Sequence, residues 1–257
     1  MFSRDTATTA MRVAIATIVL LALWEALVRA THTASYVLPA PSLIAVQLWL
    51  KGGILLENLA VTMIESMVGL AAAMVIAFVF AILVVYSRTI RDTLYPMLVA
   101  LQAAPKVALA PLCIAWFGLG AEPKFVLAAL LCFFPLLIAA ITGLSSVDQD
   151  MLDLARSNGA SEYKILALIR APRCVPYFMD GMKVALPSSV IGAIVGEFVA
   201  GQQGIGVLIG QASLALEVPL TFAGIIVISV ATTVLYGLLL LCEFLCLRWH
   251  RLELGQT

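Results

Sequence analysis

The sequence predicts an all-α protein that crosses a membrane about six times. Hydrophobic residues make up 63% of the 257 residues and charged residues 12%, with a mean hydropathy of +1.08, whereas soluble domains carry about a quarter charged residues. The apolar residues lie in runs close to the ~20 residues that a helix needs to cross a bilayer. Outer-membrane barrels have ~10-residue segments of alternating polarity instead, and the sequence has none. The fold class is therefore a helical, polytopic membrane protein.

Four uninterrupted apolar runs each predict a span: residues 11–28, 67–86, 125–147 and 218–242. Two further runs are long enough to span but are interrupted. Residues 93–119 contain Pro105, Lys106 and Pro111, and residues 184–200 contain Pro187 and Glu197. No repeat of fixed period divides the chain, so we expect one domain over residues 1–257 with six spans.

The placement of Lys and Arg predicts the orientation, because short cytoplasmic loops carry an excess of basic residues. A cytoplasmic N-terminus puts eleven basic residues inside: Arg4, Arg12, Arg88, Arg91, Arg156, Lys164, Arg170, Arg173, Lys183, Arg248 and Arg251. It leaves three outside, namely Arg29, Lys51 and Lys124. We therefore expect both termini in the cytoplasm of a bacterium and the chain in its cytoplasmic (inner) membrane. The longest inside loop, about residues 146–180, is the expected place for a cytoplasmic partner.

The outer loop after the first span predicts a helix lying in the membrane interface. Pro39 and Pro41 favour an extended turn, and Ser42 is placed to cap the amphipathic stretch that runs through Trp49. Glu25, near the end of the first span, is expected to form an internal ion pair or to reach the interface.

Several function classes find no support in the sequence. Formal net charge is zero and the pI is near 6.7, so no basic surface for nucleic acid is indicated. The five cysteines lie in or beside apolar runs without a CxxC pair, which favours packing over redox or metal chemistry. The two histidines, His32 and His250, lie near opposite ends of the chain. We expect no catalytic residue, no metal and no bound cofactor.

The long inside loop reads as helix, break, helix. Residues 151–158 predict two helical turns, which Gly159 ends in the left-handed conformation. Ser161 is placed to cap the next helix, with Glu162 favourable in its first turn. Pro172 is expected to end that helix. Two short helices at an angle would form a compact knob.

This loop resembles the EAA loop of permeases of ATP-binding-cassette importers. The motif is E-A-A, three residues, G, nine residues, I, one residue, L-P. The matching positions are Asp153, Ala155, Gly159, Ile169 and Pro172. Leu154 and Ala171 depart from the motif as apolar replacements.

The rest of the chain is similar to the nitrate, sulfonate and taurine branch of that superfamily. The resemblance is carried by Leu-Pro-Ala-Pro-Ser at 38–42, Ala-Pro-Leu at 110–112, Trp-Phe-Gly-Leu-Gly at 116–120, Gly-Leu at 143–144, Gly-Ala-Ser at 159–161, Gly-Glu-Phe at 196–198 and Gly-Ile-Gly at 204–206. Their order and spacing together make the likeness specific.

The resemblance implies a type I importer permease fold and a set of partners. Such a permease works as a pair, here expected to be a homodimer, with two ATPase subunits and an outer substrate-binding protein; ATP and Mg act on the ATPase. The coupling residues implied are Asp153, Ala155, Arg156, Gly159, Ala160, Ser161, Ile169 and Pro172. Whether the loop's basic residues pair with the ATPase or only follow the orientation rule stays open; these residues are Arg156, Lys164, Arg170 and Arg173.

Polar residues within the spans mark a candidate translocation path or gate: Gln102, Lys106, Glu197 and Gln202. Lys106 and Glu197 each lie 14 residues beyond the expected cytoplasmic start of their spans, which corresponds to roughly 21 Å of helical rise. We therefore predict an ion pair between them, within one subunit or across the dimer, that braces the gate. The alternative leaves Lys106 free to attract an anionic solute.

The transported solute is the least determined feature. Related permeases serve nitrate, alkanesulfonates, taurine, aromatic acids, and pyrimidine or flavin vitamin precursors, and their selectivity rests largely with the binding protein. The few fixed positive charges favour a small organic solute. The alternative function is a secondary transporter, which would need coupling-ion and substrate sites within one chain, usually in internal repeats.

Overall fold

The computed structural model describes residues 2–102 and 104–247, and of residues 2–7, 10 and 94 it describes only the backbone. The helices are α1 (Phe2–Ala30), α2 (Pro41–Leu50), α3 (Gly52–Tyr86), α4 (Arg88–Gln102), α5 (Ala110–Phe117), α6 (Glu122–Ser145), α7 (Gln149–Ser157), α8 (Glu162–Ile165), α9 (Ala171–Ala200), α10 (Ile205–Leu214) and α11 (Val218–Cys246). A 3-10 turn, Lys106–Leu109, precedes α5, and a π turn, Leu166–Arg170, joins α8 to α9. Arg248, His250 and Arg251 lie outside the described residues.

The structure confirms the predicted number of spans. Five helical segments are long and apolar enough to cross a membrane: Met11–Ala30, Gly52–Tyr86, Glu122–Ser145, Glu162–Ala200 and Val218–Cys246. The bent pair Arg88–Gln102 and Lys106–Phe117, whose axes turn by 92°, makes a sixth if its two halves form one span. The second span begins at Gly52, fifteen residues before the predicted start. Polar residues such as Asn58 and Glu65 interrupt the apolar run, so the run alone does not reveal this part of the helix. These residue types nevertheless occur within helices.

The core consists of α3, α6 and α9, which pack closely because small residues line their contacts. A side chain at Gly69 of α3 or Gly192 of α9 would overlap Ala128 of α6. Along the same contacts Ala77, Ala140 and Ala185 are fully buried. Small residues let helix backbones approach and gain dispersion energy in a membrane, where burial of apolar surface supplies no drive.

The C-terminal end of α1 is tied to the start of α2 through Glu25. Its carboxylate pairs with Arg29 at 2.6 Å, so the predicted internal ion pair is present. Ser42 was expected to cap α2 with its own side chain, and this is wrong. The residue at the N-cap position is Ala40, while the backbone N–H and hydroxyl of Ser42 donate to Glu25 at 3.0 and 2.8 Å. Glu25 therefore supplies the cap from the neighbouring helix.

The helix after the break in the inside loop does not end at Pro172. Residues Glu162–Ala200 form one continuous helical segment of 39 residues, in which Pro172 lies in the first turn of α9. Proline has no backbone N–H, so it is tolerated in the first turn of a helix, where that N–H would have no partner. The π turn Leu166–Arg170 interrupts the regular hydrogen-bond pattern just before α9. The loop is thus joined to the fifth span by continuous helix, and does not form a separate knob.

Candidate functional site

The inside loop forms a tight corner between α7 and α8, which we call the elbow (residues 149–165). Gly159 has φ of +78°, as predicted. Its N–H donates to the carbonyl of Arg156 at 2.9 Å, and the N–H of Ala160 donates to the carbonyl of Ala155 at 3.0 Å. These two bonds make a Schellman motif, which satisfies the last carbonyls of α7 and turns the chain towards α8.

Side-chain caps and a small apolar core hold the elbow in shape. The Ser161 hydroxyl accepts from the N–H of Lys164 at 3.4 Å, so the predicted cap is confirmed. Asp148, which sequence reasoning missed, caps α7 by accepting from the N–H of Asp150 at 3.2 Å. Beneath these caps lies a satellite core: Val147, Leu152 and Ile165 are buried, with Ala155, Ala160 and Ile169 packed against them.

Arg156 connects the two helices of the elbow. Its guanidinium lies 2.9 Å from Glu162 of α8 and 3.1 Å from Asp153 of α7. The hydrogen bonds to Glu162, and then to Asp153, raise the pKa of Arg156. Arg170 is also engaged internally: it is buried, donates to the Leu144 carbonyl and stacks near the Tyr86 ring at 5.6 Å. Both arginines thus have partners within the chain.

Apolar side chains remain exposed on the elbow and the turn that follows it. Met151 and Leu154 of α7 are 53% and 65% exposed, and Tyr163 and Leu168 are 78% and 73% exposed. A group of exposed apolar side chains on one part of the surface is typical of an interaction site. Leu154 is one of the apolar departures from the EAA motif, and it lies on this surface.

The predicted ion pair between Lys106 and Glu197 is wrong. The Lys106 ammonium donates to the carbonyl of Gln102 at 2.9 Å and lies 4.8 Å from the centre of the Phe134 ring. Glu197 is buried near the C-terminal end of α9 and binds Thr62 and Gly206 instead. The helical-rise argument assumed two straight helices, whereas the third span turns by 92° just before Lys106.

The buried ion pair within the bundle joins Lys124 to Glu65. Their charged atoms are 2.7 Å apart, and each side chain is only 5% exposed. Lys124 was expected in an outer loop, but it lies in the first turn of α6 and also donates to the carbonyl of Gln203 at 3.1 Å. Sequence reasoning missed the pair because its members lie 59 residues apart on different helices, where no local spacing connects them.

Three side chains bind the first turn of α10. The N–H of Gly204 donates to Asn58 at 3.0 Å, that of Ile205 to the Thr62 hydroxyl at 2.9 Å, and that of Gly206 to Glu197 at 2.6 Å. The Thr62 hydroxyl also donates to Glu197 at 2.5 Å. Together with the ion pair described above, these residues fasten α10 to α3, α6 and α9. We call this cluster the outer clasp, after the side of the membrane that the distribution of basic residues predicts for it: Asn58, Thr62, Glu65, Lys124 and Glu197.

The outer clasp explains the Gly-Ile-Gly sequence at 204–206. Gly204 has φ of +124°, and a side chain at Gly204 or Gly206 would overlap the Glu197 carboxylate. Only glycine lets the backbone approach the carboxylate this closely. Of the predicted gate residues, Glu197 belongs to the clasp, Gln202 lies exposed in the turn beside it, and Gln102 and Lys106 lie at the break of the third span.

Within residues 2–102 and 104–247, no group of His, Cys, Asp and Glu side chains is arranged to hold a metal ion. The five cysteines are free; Cys113, Cys132 and Cys174 are buried, and Cys242 and Cys246 are exposed. The three buried cysteines have the packing role that their positions predicted, whereas the two exposed ones do not pack within the chain.

The arrangement of spans and elbow is that of a transport permease, and comparison with known proteins agrees. Residues 69–244 match the family of binding-protein-dependent transport system inner membrane components, and the chain belongs to this family. It is therefore a multi-pass permease of an ATP-binding-cassette importer, a class that works with an ATPase and a substrate-binding protein.

Several curated relatives cover most of the chain. The riboflavin transport system permease protein RibX of Chloroflexus aurantiacus is 34% identical over 90% of this chain and 87% of its own. The formylaminopyrimidine transport permease protein ThiX of Halalkalibacterium halodurans is 28% identical over 91% and 94%. The taurine transport system permease protein TauC of Escherichia coli is 29% identical over 68% and 63%.

Among solved structures, an inward-facing conformation of the MetNI methionine ABC transporter has the same fold. The match has a TM-score of 0.51 and covers 75% of this chain and 97% of the other, at 16% sequence identity. At that identity the likeness concerns the fold alone.

Proposed function

We propose that this chain is the non-catalytic permease subunit through which a small organic solute or anion enters a bacterial cell. Two copies would form the pore, two ATPase subunits would bind their elbows, and an outer binding protein would deliver the solute. The chain itself would bind no cofactor; ATP and Mg would act on the ATPase. The observation that carries this proposal is the elbow, with its exposed apolar residues and its continuous helical connection to the fifth span.

The elbow is suited to docking in a groove of a partner. Helix-in-groove binding uses an apolar face on a preformed helix, and Leu154 and Tyr163 provide such a face. Gly159, Ala160 and Ser161 set the corner between the helices. Asp153, Ala155, Arg156, Ile169 and Pro172 maintain its shape from within the chain, through the ion pairs, the satellite core and the start of α9.

A continuous helix connects the elbow to the outer clasp. The segment Glu162–Ala200 has 39 residues, which corresponds to roughly 58 Å of rise at 1.5 Å per residue. Its first turn belongs to the elbow, and Glu197 near its end binds α10. A shift of the elbow against the ATPase would therefore move the clasp, so ATP binding would favour one of two arrangements of the pore.

The solute class follows from the relatives and from the span break. The names of the relatives specify riboflavin, formylaminopyrimidine and taurine, which are all small organic molecules. Gln102 and Lys106 are the candidate path residues at the break of the third span, and Gln202 beside Glu197 is a candidate gate residue. Selection of one solute would rest mainly with the binding protein.

The proposed orientation places both termini and the elbow in the cytoplasm. The support is the distribution of basic residues, eleven inside against three outside. Lys124 is buried in an ion pair and can be left out of this count. The excess of basic residues on the inside remains. The last ten residues, 248–257, lie outside the described part of the chain.

Purification of the tagged chain from its native membrane tests the proposal. The wild type should bring down an ATPase, and Leu154→Asp should lose it because the substitution places a charge on the docking face. Leu214→Asp is the matched control, since Leu214 is 89% exposed near the outer end of α10. If the chain alone accumulates solute in vesicles from an ion gradient without ATP, it is a secondary transporter instead.

A further inference from the structure

Two buried carboxylates in the outer clasp share a single positive partner. Glu65 and Glu197 are 4% and 2% exposed, and their carboxylates lie within hydrogen-bonding reach of each other. Lys124 pairs with Glu65 at 2.7 Å and also donates to the carbonyl of Gln203. If both carboxylates were ionised, the cluster would therefore hold two negative charges against one positive charge, in a place shielded from water.

One carboxylate oxygen in this cluster lacks a hydrogen-bond donor. Oε2 of Glu65 is buried without a partner among the described residues, whereas its Oε1 accepts from Lys124. Both oxygens of Glu197 have donors, because Oε1 accepts from the Thr62 hydroxyl and Oε2 from the N–H of Gly206. Leaving a buried acceptor without a donor costs free energy, and an ionised Glu197 beside it has no proton to donate.

The other ionisable side chains near this end of the described helices do not balance the second carboxylate. Glu57 of α3 and Glu122 of α6 are exposed acidic residues. Lys51 is exposed and lies fourteen residues before Glu65, which corresponds to about 21 Å of rise. A second copy of the chain cannot contact Glu65 or Glu197, because both side chains are buried within this one.

The start of α10 faces Glu197 but does not remove the imbalance. Its segment Ile205–Leu214 contains no ionisable residue, and a helix N-terminus is equivalent to only about half an elementary charge. The N–H groups of its first turn are already bound to Asn58, Thr62 and Glu197. None of them is left to donate to Oε2 of Glu65.

A proton fits the contact between the two carboxylates. Carboxylates that share a site cannot both stay ionised, so one of them holds a proton. A proton on Glu197 donates to Oε2 of Glu65, which supplies the missing donor and makes the cluster electrically neutral. A metal ion would need more ligands, and within the described residues no group of three or more His, Cys, Asp and Glu side chains is arranged to hold one.

We propose that the outer clasp is a proton-binding site, in which Glu65 and Glu197 share one proton and Lys124 balances the charge that remains. The shared proton fastens α9 to α3 and keeps Glu197 in place for α10. When the clasp opens to water, both carboxylates ionise and the proton is released, because glutamate in water is ionised at neutral pH. Lower pH outside therefore favours the closed clasp, and higher pH favours the open one. The consequence for transport rests on the proposed function, whereas the site itself does not.

Infrared spectroscopy of the chain, purified with its partners and placed in lipid nanodiscs, tests for the proton. A protonated carboxyl group has a C=O band well separated from those of ionised carboxylates, and the band shifts in D2O. At neutral pH the wild type should show this band in difference spectra against Glu65→Gln and against Glu197→Gln. Each variant should lose it, because the remaining carboxylate then pairs with Lys124 alone. Glu57→Gln is the matched control on α3 and should keep the band.

Hydrogen exchange at residues 204–206 tests whether the proton holds the clasp closed. Protection of these N–H groups is measured against an unstructured peptide at the same pH, so that the intrinsic exchange rate cancels. Release of one proton on opening should lower the protection of the wild type about tenfold per pH unit. Glu65→Gln should lose this dependence, and Glu57→Gln should retain it.

Three results would overturn the assignment: no protonated carboxyl band in the wild type at neutral pH, survival of the band in either glutamine variant, or the same pH dependence of protection in Glu65→Gln as in the wild type. The wild-type band decides the matter even if a variant fails to fold. A failure to co-purify an ATPase would contradict the proposed function and leave the band unchanged, so the two failures can be told apart.

Discussion

The buried ion pair of Lys124 and Glu65 allows a quantitative prediction. Its charged atoms are 2.7 Å apart and each side chain is 5% exposed, so neither partner has water as an alternative. Removing one partner from such a pair costs about 3–5 kcal/mol, because the other charge stays buried without compensation. Lys124→Met should therefore lower the midpoint of thermal unfolding by on the order of 10 °C. It should also loosen the turn before α10, because the bond to the Gln203 carbonyl is lost.

The double variant Lys124→Met/Glu65→Met separates the pair from the packing of the two side chains. Replacement of both charges by apolar groups of similar size is often close to neutral, so the double variant should recover to within about 1–2 kcal/mol of the wild type, with the lost Gln203 bond as the remainder. The assay is thermal unfolding of the purified complex, followed by intrinsic fluorescence, with Lys51→Met as the exposed-lysine control. A double variant whose loss equals the sum of the two single losses would refute the reasoning, since independent sites add and coupled sites do not.

Three further predictions concern the elbow and the orientation. Gly159→Val should insert normally but lose ATPase association, because φ of +78° costs a branched residue about 1–2 kcal/mol; Gly237→Val, with equally open space, should be silent. Arg156→Gln should weaken ATPase binding less than fivefold, since exposed ion pairs within the elbow are worth up to about 1 kcal/mol; a far larger loss would mean that Arg156 contacts the ATPase directly. A cysteine at Ser161 should react only from the cytoplasm and one at Lys51 only from outside, and outside labelling at Ser161 would exclude it from any coupling role.

Some features of the chain could be predicted because they depend only on residues that are close together in the sequence. The number of spans follows from apolar runs, which the bilayer thickness converts into helices. The corner at Gly159 and the cap at Ser161 follow from residues within one or two turns of each other. The end predicted at Pro172 failed for the same reason: a local rule cannot foresee that a π turn lets the helix continue into the fifth span.

Contacts between spans depended on the tertiary structure. Lys106 and Glu197 share a distance along their helices, but the 92° turn of the third span separates them. The partners that do meet, Lys124 and Glu65, or Gly204 and Asn58, lie 59 and 146 residues apart. The sequence by itself determined a helical importer permease, its spans and the form of its elbow. Only the packing of α3, α6, α9 and α10 decided which buried charges are paired, because pairing requires proximity in space that no spacing along one helix encodes.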